Sequence, residues 1–229
     1  MNNTELYALK DMNLTIQEGE MIIILGQSGS GKSTLMNVIS GLDRVTNGQI
    51  LYKNKDLTQC NNLELDQYRR DEIGFIFQTY NLIPNLKVYE NVELGAVLGT
   101  GKDKENIDDL LKEFDLTQFR DNFPYQLSGG GKQRVAISRA LAKKPSLLMC
   151  DEPTGALDEA NAIKVMKKLQ EYNAKYNTTI VVITHNPAYA RAGHRAIYIN
   201  NGQIVKEVVN ERVVPAEELR ISEAMGARL

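Results

Sequence analysis

The run Gly26-Gln27-Ser28-Gly29-Ser30-Gly31-Lys32-Ser33, followed by Thr34, combines the residue types that a polyphosphate requires. Glycines let successive backbone N–H groups converge on phosphate oxygens, and a helix beginning at the end of the run adds its positive terminus. In that pattern Lys32 pairs with the β- and γ-phosphates, the Ser33 hydroxyl joins a Mg²⁺ shell and Thr34 supports it. A second cluster follows the apolar stretch Leu147-Leu148-Met149-Cys150, which ends in Asp151-Glu152. Asp151 is placed to hold Mg²⁺ through water, and Glu152 to face the γ-phosphate and polarise an attacking water. An acidic pair capping a strand is alone an ordinary solvated turn; beside a phosphate-binding loop the balance reverses. His185, after the run Ile180–Thr184, reaches the same edge, where an imidazole can donate to phosphate or water. These residues by themselves give nucleotide binding, leaving kinases, GTPases, motors and transporters all open.

Such groups must be held by a scaffold, and short apolar runs alternating with amphipathic stretches describe one. Candidate strands are Met21–Leu25, Ile73–Phe77, Leu147–Cys150, Ile180–Thr184 and Ala196–Ile199, the pattern of a layered α/β domain with a largely parallel sheet. Asn201-Gly202 reads as a tight hairpin, and Asn47-Gly48 before Gln49–Tyr52 as a second. From Asp158 to Tyr176, Ala162, Val165, Leu169, Tyr172 and Tyr176 recur three or four apart, which predicts one helix with a buried stripe. Between Tyr80 and Lys144 the strand pattern disappears, and Ile107, Leu110, Leu111 and Phe114 mark a helix instead. The expected organisation is a single domain over 1–229. Its α/β core covers about 1–79 and 146–229, with an inserted helical subdomain over about 80–145. The tail from Glu211 to Leu229 is charged and weakly periodic, and predicts no definite element.

The bulk numbers set outer bounds. In 229 residues, 42% are hydrophobic and 24% charged, which excludes a disordered or fibrous chain. A formal charge of −2 and a pI near 5.8 give no global attraction to nucleic acid, and no nucleic-acid partner is expected. The longest apolar runs fall far short of the roughly 20 residues a membrane helix needs. The start Met1-Asn2-Asn3-Thr4-Glu5 has no signal-peptide character, so a cytoplasmic location is expected. Cys60 and Cys150 form no metal-ligand pattern, and Cys150 reads as a buried free thiol.

Leu127-Ser128-Gly129-Gly130-Gly131-Lys132-Gln133-Arg134, about twenty residues before Asp151-Glu152, closely resembles the signature motif of ABC ATPases. The resemblance covers nearly the whole chain, since other motifs follow in order: Gln78 in Phe75-Ile76-Phe77-Gln78, the segment Ala156-Leu157-Asp158, and His185. It implies a P-loop NTPase (RecA-like) core with a small antiparallel β part and an inserted helical subdomain. It further implies ATP and Mg²⁺ as cofactors, with Gln78 beside the metal and the attacking water, and Asp158 at the nucleotide interface. Ser128, Gly129 and Gly130 open a helix and would serve the ATP of an opposite subunit, so a head-to-tail homodimer is implied. A separate membrane permease would place the protein on the inner face of the membrane. Within the family, Gly41-Leu42-Asp43-Arg44, Tyr80-Asn81-Leu82-Ile83-Pro84 and Glu90-Asn91-Val92 resemble the branch of macrolide exporters, lipoprotein-release ATPases, antimicrobial-peptide resistance pumps and the cell-division homologue. In that branch Tyr80, Leu82, Ile83 and Leu86 either receive the permease or are core residues.

Two positions depart from the family. Gly131 stands where glutamine is usual, and a glycine near a helix start costs up to about 1 kcal/mol against a helix former. It should retain closure but weaken it. The usual first strand and its adenine-stacking aromatic have no counterpart before the segment Tyr7–Leu14, and Tyr7 matches a position downstream of that ring. Two functions fit the motifs: an ATPase driving export or extraction through a permease, or a regulatory module moving a membrane partner without transport.

Overall fold

The computed structural model describes residues 7–99 and 107–220; the last part of the charged tail lies outside them. β1, Met21–Leu25, is five consecutive buried residues. A strand with no polar face must be covered on both sides. It pairs in parallel with β6, Thr179–Thr184, and with β7, Arg195–Asn200. β5, Leu147–Asp151, joins the far side of β6, and β4, Ile73–Ile76, forms the edge beyond it. β8, Gln203–Val209, adds antiparallel to β7, giving the order β4-β5-β6-β1-β7-β8.

Successive side chains of a strand face opposite ways, and the two faces of β1 enter two clusters. Ile22 and Ile24 pack with Leu35, Met36, Leu57 and Tyr68. These come from α1 (Lys32–Ile39), a one-turn helix and α2 (Asn62–Glu72). Met21, Ile23 and Leu25 pack on the other side with Val165 and Leu169. These belong to α6, Glu159–Tyr176, whose predicted stripe is buried at Ala162, Val165, Leu169 and Tyr172. Leu169 is wholly enclosed, a burial that contributes about 1.5–3 kcal/mol for such a side chain.

Among the described residues no strand occurs between β4 and β5. The segment carries α3 (Val88–Leu98), α4 (Ile107–Glu113) and α5 (Gly129–Ala142). Leu110, Leu111 and Phe114 are buried as their spacing predicts, and they join the same cluster as the α6 face of the sheet.

Asn201-Gly202 closes the β7–β8 hairpin, with φ of 47° and 74° and Asn200 opposite Gln203. The second expected hairpin is corrected. Gly48 has φ 98°, but the turn lies at Lys53-Asn54, between β2 (Leu51–Tyr52) and β3 (Lys55–Asp56). The chain before Asn47 is drawn elsewhere: Arg44 donates to the Cys60 carbonyl at 3.0 Å and to Asn62 Oδ1 at 2.9 Å. Strand ends otherwise differ from the expected ones by a residue, β4 stopping at Ile76 and β5 reaching Asp151. Both cysteines are buried free thiols.

Candidate active site

Parallel strands deliver their carboxyl ends to one edge, where the chemical groups collect. Leu25 stands opposite Thr184, so Gly26 and His185 leave the sheet side by side. Asp151 stands opposite Ile183, and the Glu152 N–H still donates to the Ile183 carbonyl at 2.9 Å. Ile76 stands opposite Cys150, so Gln78, exposed, leaves the neighbouring edge strand at the level of the two acids.

The loop from Gly26 to Gly31 is fixed from behind. A Cβ on Gly26 would lie 2.3 Å from the Ile199 carbonyl oxygen. One on Gly31, at φ 102°, would lie 2.5 Å from the Ala8 carbonyl oxygen. The Gly202 N–H donates to the Ser30 carbonyl at 2.9 Å, tying the hairpin to the loop. On the outer side the loop is open: Gly29, at φ 77°, has nothing within 4 Å of a Cβ position, and Gln27, Ser28 and Ser33 are exposed. Thr34 is half-buried behind them. Lys32 is buried and its Nζ donates to the Gly26 and Gln27 carbonyls at 2.8 and 2.7 Å, folding the loop around its own ammonium.

Opposite charges meet across this edge. Burial lowers the Lys32 pKa, opposed by Glu152 and Asp151. Burial raises that of Asp151, Glu152 adds to the rise, and Lys32 and a hydrogen bond from Ser33 oppose it. One buried cation facing two carboxylates, beside a glycine loop whose outer side is open, fits a Mg²⁺-bound polyphosphate. The oxygens of Ser33 and Asp151 are hard donors of the type Mg²⁺ takes.

Glu152 sits at φ 46°, a conformation disfavoured for a residue with a side chain, which aims its carboxylate back along the edge. One oxygen accepts from the His185 N–H at 2.9 Å and lies 2.8 Å from His185 Nδ1. The other accepts from the Thr184 hydroxyl at 3.1 Å. Thr184 is a participant that residue type alone did not single out; its only signal is its place before His185.

Ser128 and Gly129-Gly130 occupy a different neighbourhood. Ser128 is exposed and caps α5, its Oγ accepting from the Gly131 N–H at 3.2 Å. A Cβ on Gly129 would approach the Tyr80 hydroxyl, and one on Gly130 the Asn161 side chain. Asp158 caps α6, accepting from the Asn161 N–H at 3.0 Å and from its side-chain amide at 2.6 Å. The atoms that crowd the P-loop glycines come from Ala8, Leu9, Ser30, Ile199 and Gly202, none of which neighbours the signature glycines. Gly131 has no left-handed backbone to explain it, and a Cβ there would meet Leu127 Cβ at 3.2 Å.

The loop after Gln78 is joined to α5. Arg139 donates to the carbonyls of Tyr80 and Asn81 at 3.0 and 2.6 Å, holding two residues with φ of 61° and 47°. Leu82 packs partly against the core, Tyr80 and Leu86 are half-buried and Ile83 is exposed.

The ABC transporter family profile matches residues 9–155. The uncharacterized ABC transporter ATP-binding protein MJ0796 of Methanocaldococcus jannaschii is 45% identical over 215 residues, 90% of this chain and 91% of that protein. The bacitracin export ATP-binding protein BceA of Halalkalibacterium halodurans is 39% identical over 203 residues, 87% of this chain and 80% of the relative. A dimeric post-hydrolysis structure of MJ0796 bound to ADP and Pi superposes with a TM-score of 0.83 at 41% identity, covering 91% of this chain and 93% of that one. With the loop, the acid pair and the signature helix arranged as above, the chain belongs to the ABC transporter family and is an ATPase of its ATP-binding cassette class.

Proposed function

We propose that two copies of this chain close head to tail around two Mg²⁺-bound ATP molecules and drive a separately encoded membrane permease in export or extraction. The observation that carries this is that two helix amino ends, each beside glycines, lie in different neighbourhoods. α1 opens at Lys32 behind the glycine loop, α5 opens at exposed Ser128, and the glycines of each crowd different parts of the chain. A helix amino end with free N–H groups attracts anions. The Ser128 end finds one when a second copy presents its loop.

In that assembly Gly26–Thr34 bind the phosphates, and Ser33, Asp151 and Gln78 hold Mg²⁺, which neutralises charge developing on the phosphoryl group. Glu152 orients and polarises the attacking water, His185 senses the γ-phosphate, and Ser128 to Gly130 with Asp158 complete the partner's pocket. The dispositions of Glu152 and His185 support this, because breaking their mutual hydrogen bonds frees both for water and phosphate. Residues 80–145 act as the lobe carrying the signature, and 1–79 with 146–229 as the core carrying the loop. Exposed Ile83, with Leu82 beside it, offers the permease an apolar contact on the inner membrane face. Among the described residues no helix is long and apolar enough to cross a membrane, which fits a partner that supplies the spans. The export reading rests on the similarity to a bacitracin export subunit.

Glu152→Gln retains the hydrogen-bonding shape and removes the base. Light scattering on gel filtration should then give a monomer without nucleotide and a stable dimer with Mg²⁺ and ATP, with little phosphate released. A monomer under saturating ATP, or wild-type turnover, would remove the proposal's basis.

A further inference from the structure

Gln78 sits inside a turn that Tyr80 closes. The Tyr80 N–H donates to the Phe77 carbonyl at 3.2 Å, which leaves Gln78 and Thr79 as the central pair. Tyr80 itself is held at φ 61°, a conformation that a bulky side chain rarely adopts. Arg139 of α5 fixes it there, donating to its carbonyl at 3.0 Å and to that of Asn81 at 2.6 Å. Strained backbone persists only where its surroundings over-determine it, and such residues gather at functional sites.

The side chain points to the amino end of the same helix. Its hydroxyl lies 3.1 Å from where a Cβ on Gly129, the first residue of α5, would stand. Gly129 has no left-handed backbone, so the Tyr80 tip rather than the main chain is what asks for glycine here. Among the described residues the hydroxyl has no hydrogen-bond partner, although a phenol can both donate and accept. A single residue thus joins the Gln78 turn, through its main chain, to the signature end, through its side chain.

We propose that Tyr80 is a positioning residue that makes Gln78 answer to the ATP held by the opposite copy, an inference that rests on the head-to-tail reading. A phosphate arriving at Ser128 to Gly130 accepts a hydrogen bond from the Tyr80 hydroxyl, a charge-assisted contact stronger than a neutral one. The turn, held until then by Arg139 alone, gains a second anchor. Each Gln78 then engages the Mg²⁺ of its own pocket only when the other pocket is filled as well.

Tyr80→Phe keeps the ring and removes only the donor. In the whole protein at saturating ATP it should slow phosphate release by about tenfold, the worth of one hydrogen bond to a charged group. It should also raise the Mg²⁺ concentration that gives half the maximal rate, which a ring that merely fills space would leave alone. In Gln78→Ala the same substitution should cost no more than about twofold, because a residue acting through Gln78 has nothing left to place. An unchanged rate, an unchanged Mg²⁺ requirement, or equal losses in the two backgrounds would overturn the proposal. The ATP-dependent dimer of Glu152→Gln, with Tyr80 intact, tests the head-to-tail reading apart from it. Failure of that dimer sinks the reading, whereas a dimer alongside an unaffected Tyr80→Phe sinks this inference alone.

Discussion

Gly26→Ala isolates the backbone requirement of the phosphate loop. A Cβ there would lie 2.3 Å from the Ile199 carbonyl oxygen and 2.6 Å from Ser30 Oγ. The serine hydroxyl can rotate. The Ile199 carbonyl cannot, because β7 is held by β1 on one side and β8 on the other. To reach 3.0 Å, the shortest separation a real Cβ tolerates, the loop must withdraw from β7 by roughly 0.7 Å. Gly26 also supplies the carbonyl that receives Lys32 Nζ at 2.8 Å, so withdrawal disturbs the ammonium as well. Overpacking of this kind costs about 1–3 kcal/mol of stability. A displacement approaching 1 Å at a reacting centre costs on the order of 10²-fold in rate. Urea unfolding measures the first and phosphate release the second. Wild-type values in both would show that contact with β7 does not set the loop, and the account of the site's rear wall would be wrong.

Two further substitutions separate chemistry from stability. Asp151→Asn should abolish hydrolysis yet raise the melting temperature at neutral pH. Burial and Glu152 raise the Asp151 pKa, so the native state binds more protons than the unfolded chain above the ordinary 3.8, and stability falls as pH rises through that window. The gain should vanish in acid. Lys143 Nζ donates to the Arg69 and Ile73 carbonyls, both at 2.6 Å, and burial brings its pKa down to about 8. Lys143→Met should cost about 1–3 kcal/mol through the two carbonyls left bare. Between about 8 and the ordinary 10.5 the unfolded chain binds more protons at this position, so the wild type's margin over the variant should widen as pH rises. Denaturant midpoints between pH 7 and pH 10 read this slope.

What the sequence disclosed depended on how local the physics was. β1 was legible because five apolar residues in succession admit a strand covered on both faces and little else. The glycine loop, the acid pair and His185 were legible because each follows such a strand, and parallel strands bring their ends together. The Asn47-Gly48 hairpin was misplaced because a turn dipeptide states that the chain bends, not what it pairs with. Arg44 decided that by binding Cys60 and Asn62. The bracing of the loop by Ala8 and Gly202 and the Thr184 bond to Glu152 join distant parts of the chain without any motif to mark them. Tyr80 was read only as a surface or core apolar residue. Its hydroxyl beside Gly129 and its carbonyl on Arg139 instead link the loop after Gln78 to the signature helix.

Sharing of each nucleotide between two copies is tested most directly by mixing two inactive variants, Lys32→Ala and Ser128→Arg. Each homodimer has both pockets broken, one set at the loop and the other at the signature. In the mixed dimer the intact loop of the Ser128→Arg copy meets the intact signature of the Lys32→Ala copy. The account predicts that ATP hydrolysis, absent from either variant alone, returns on mixing. A mixture as inactive as its components would contradict it.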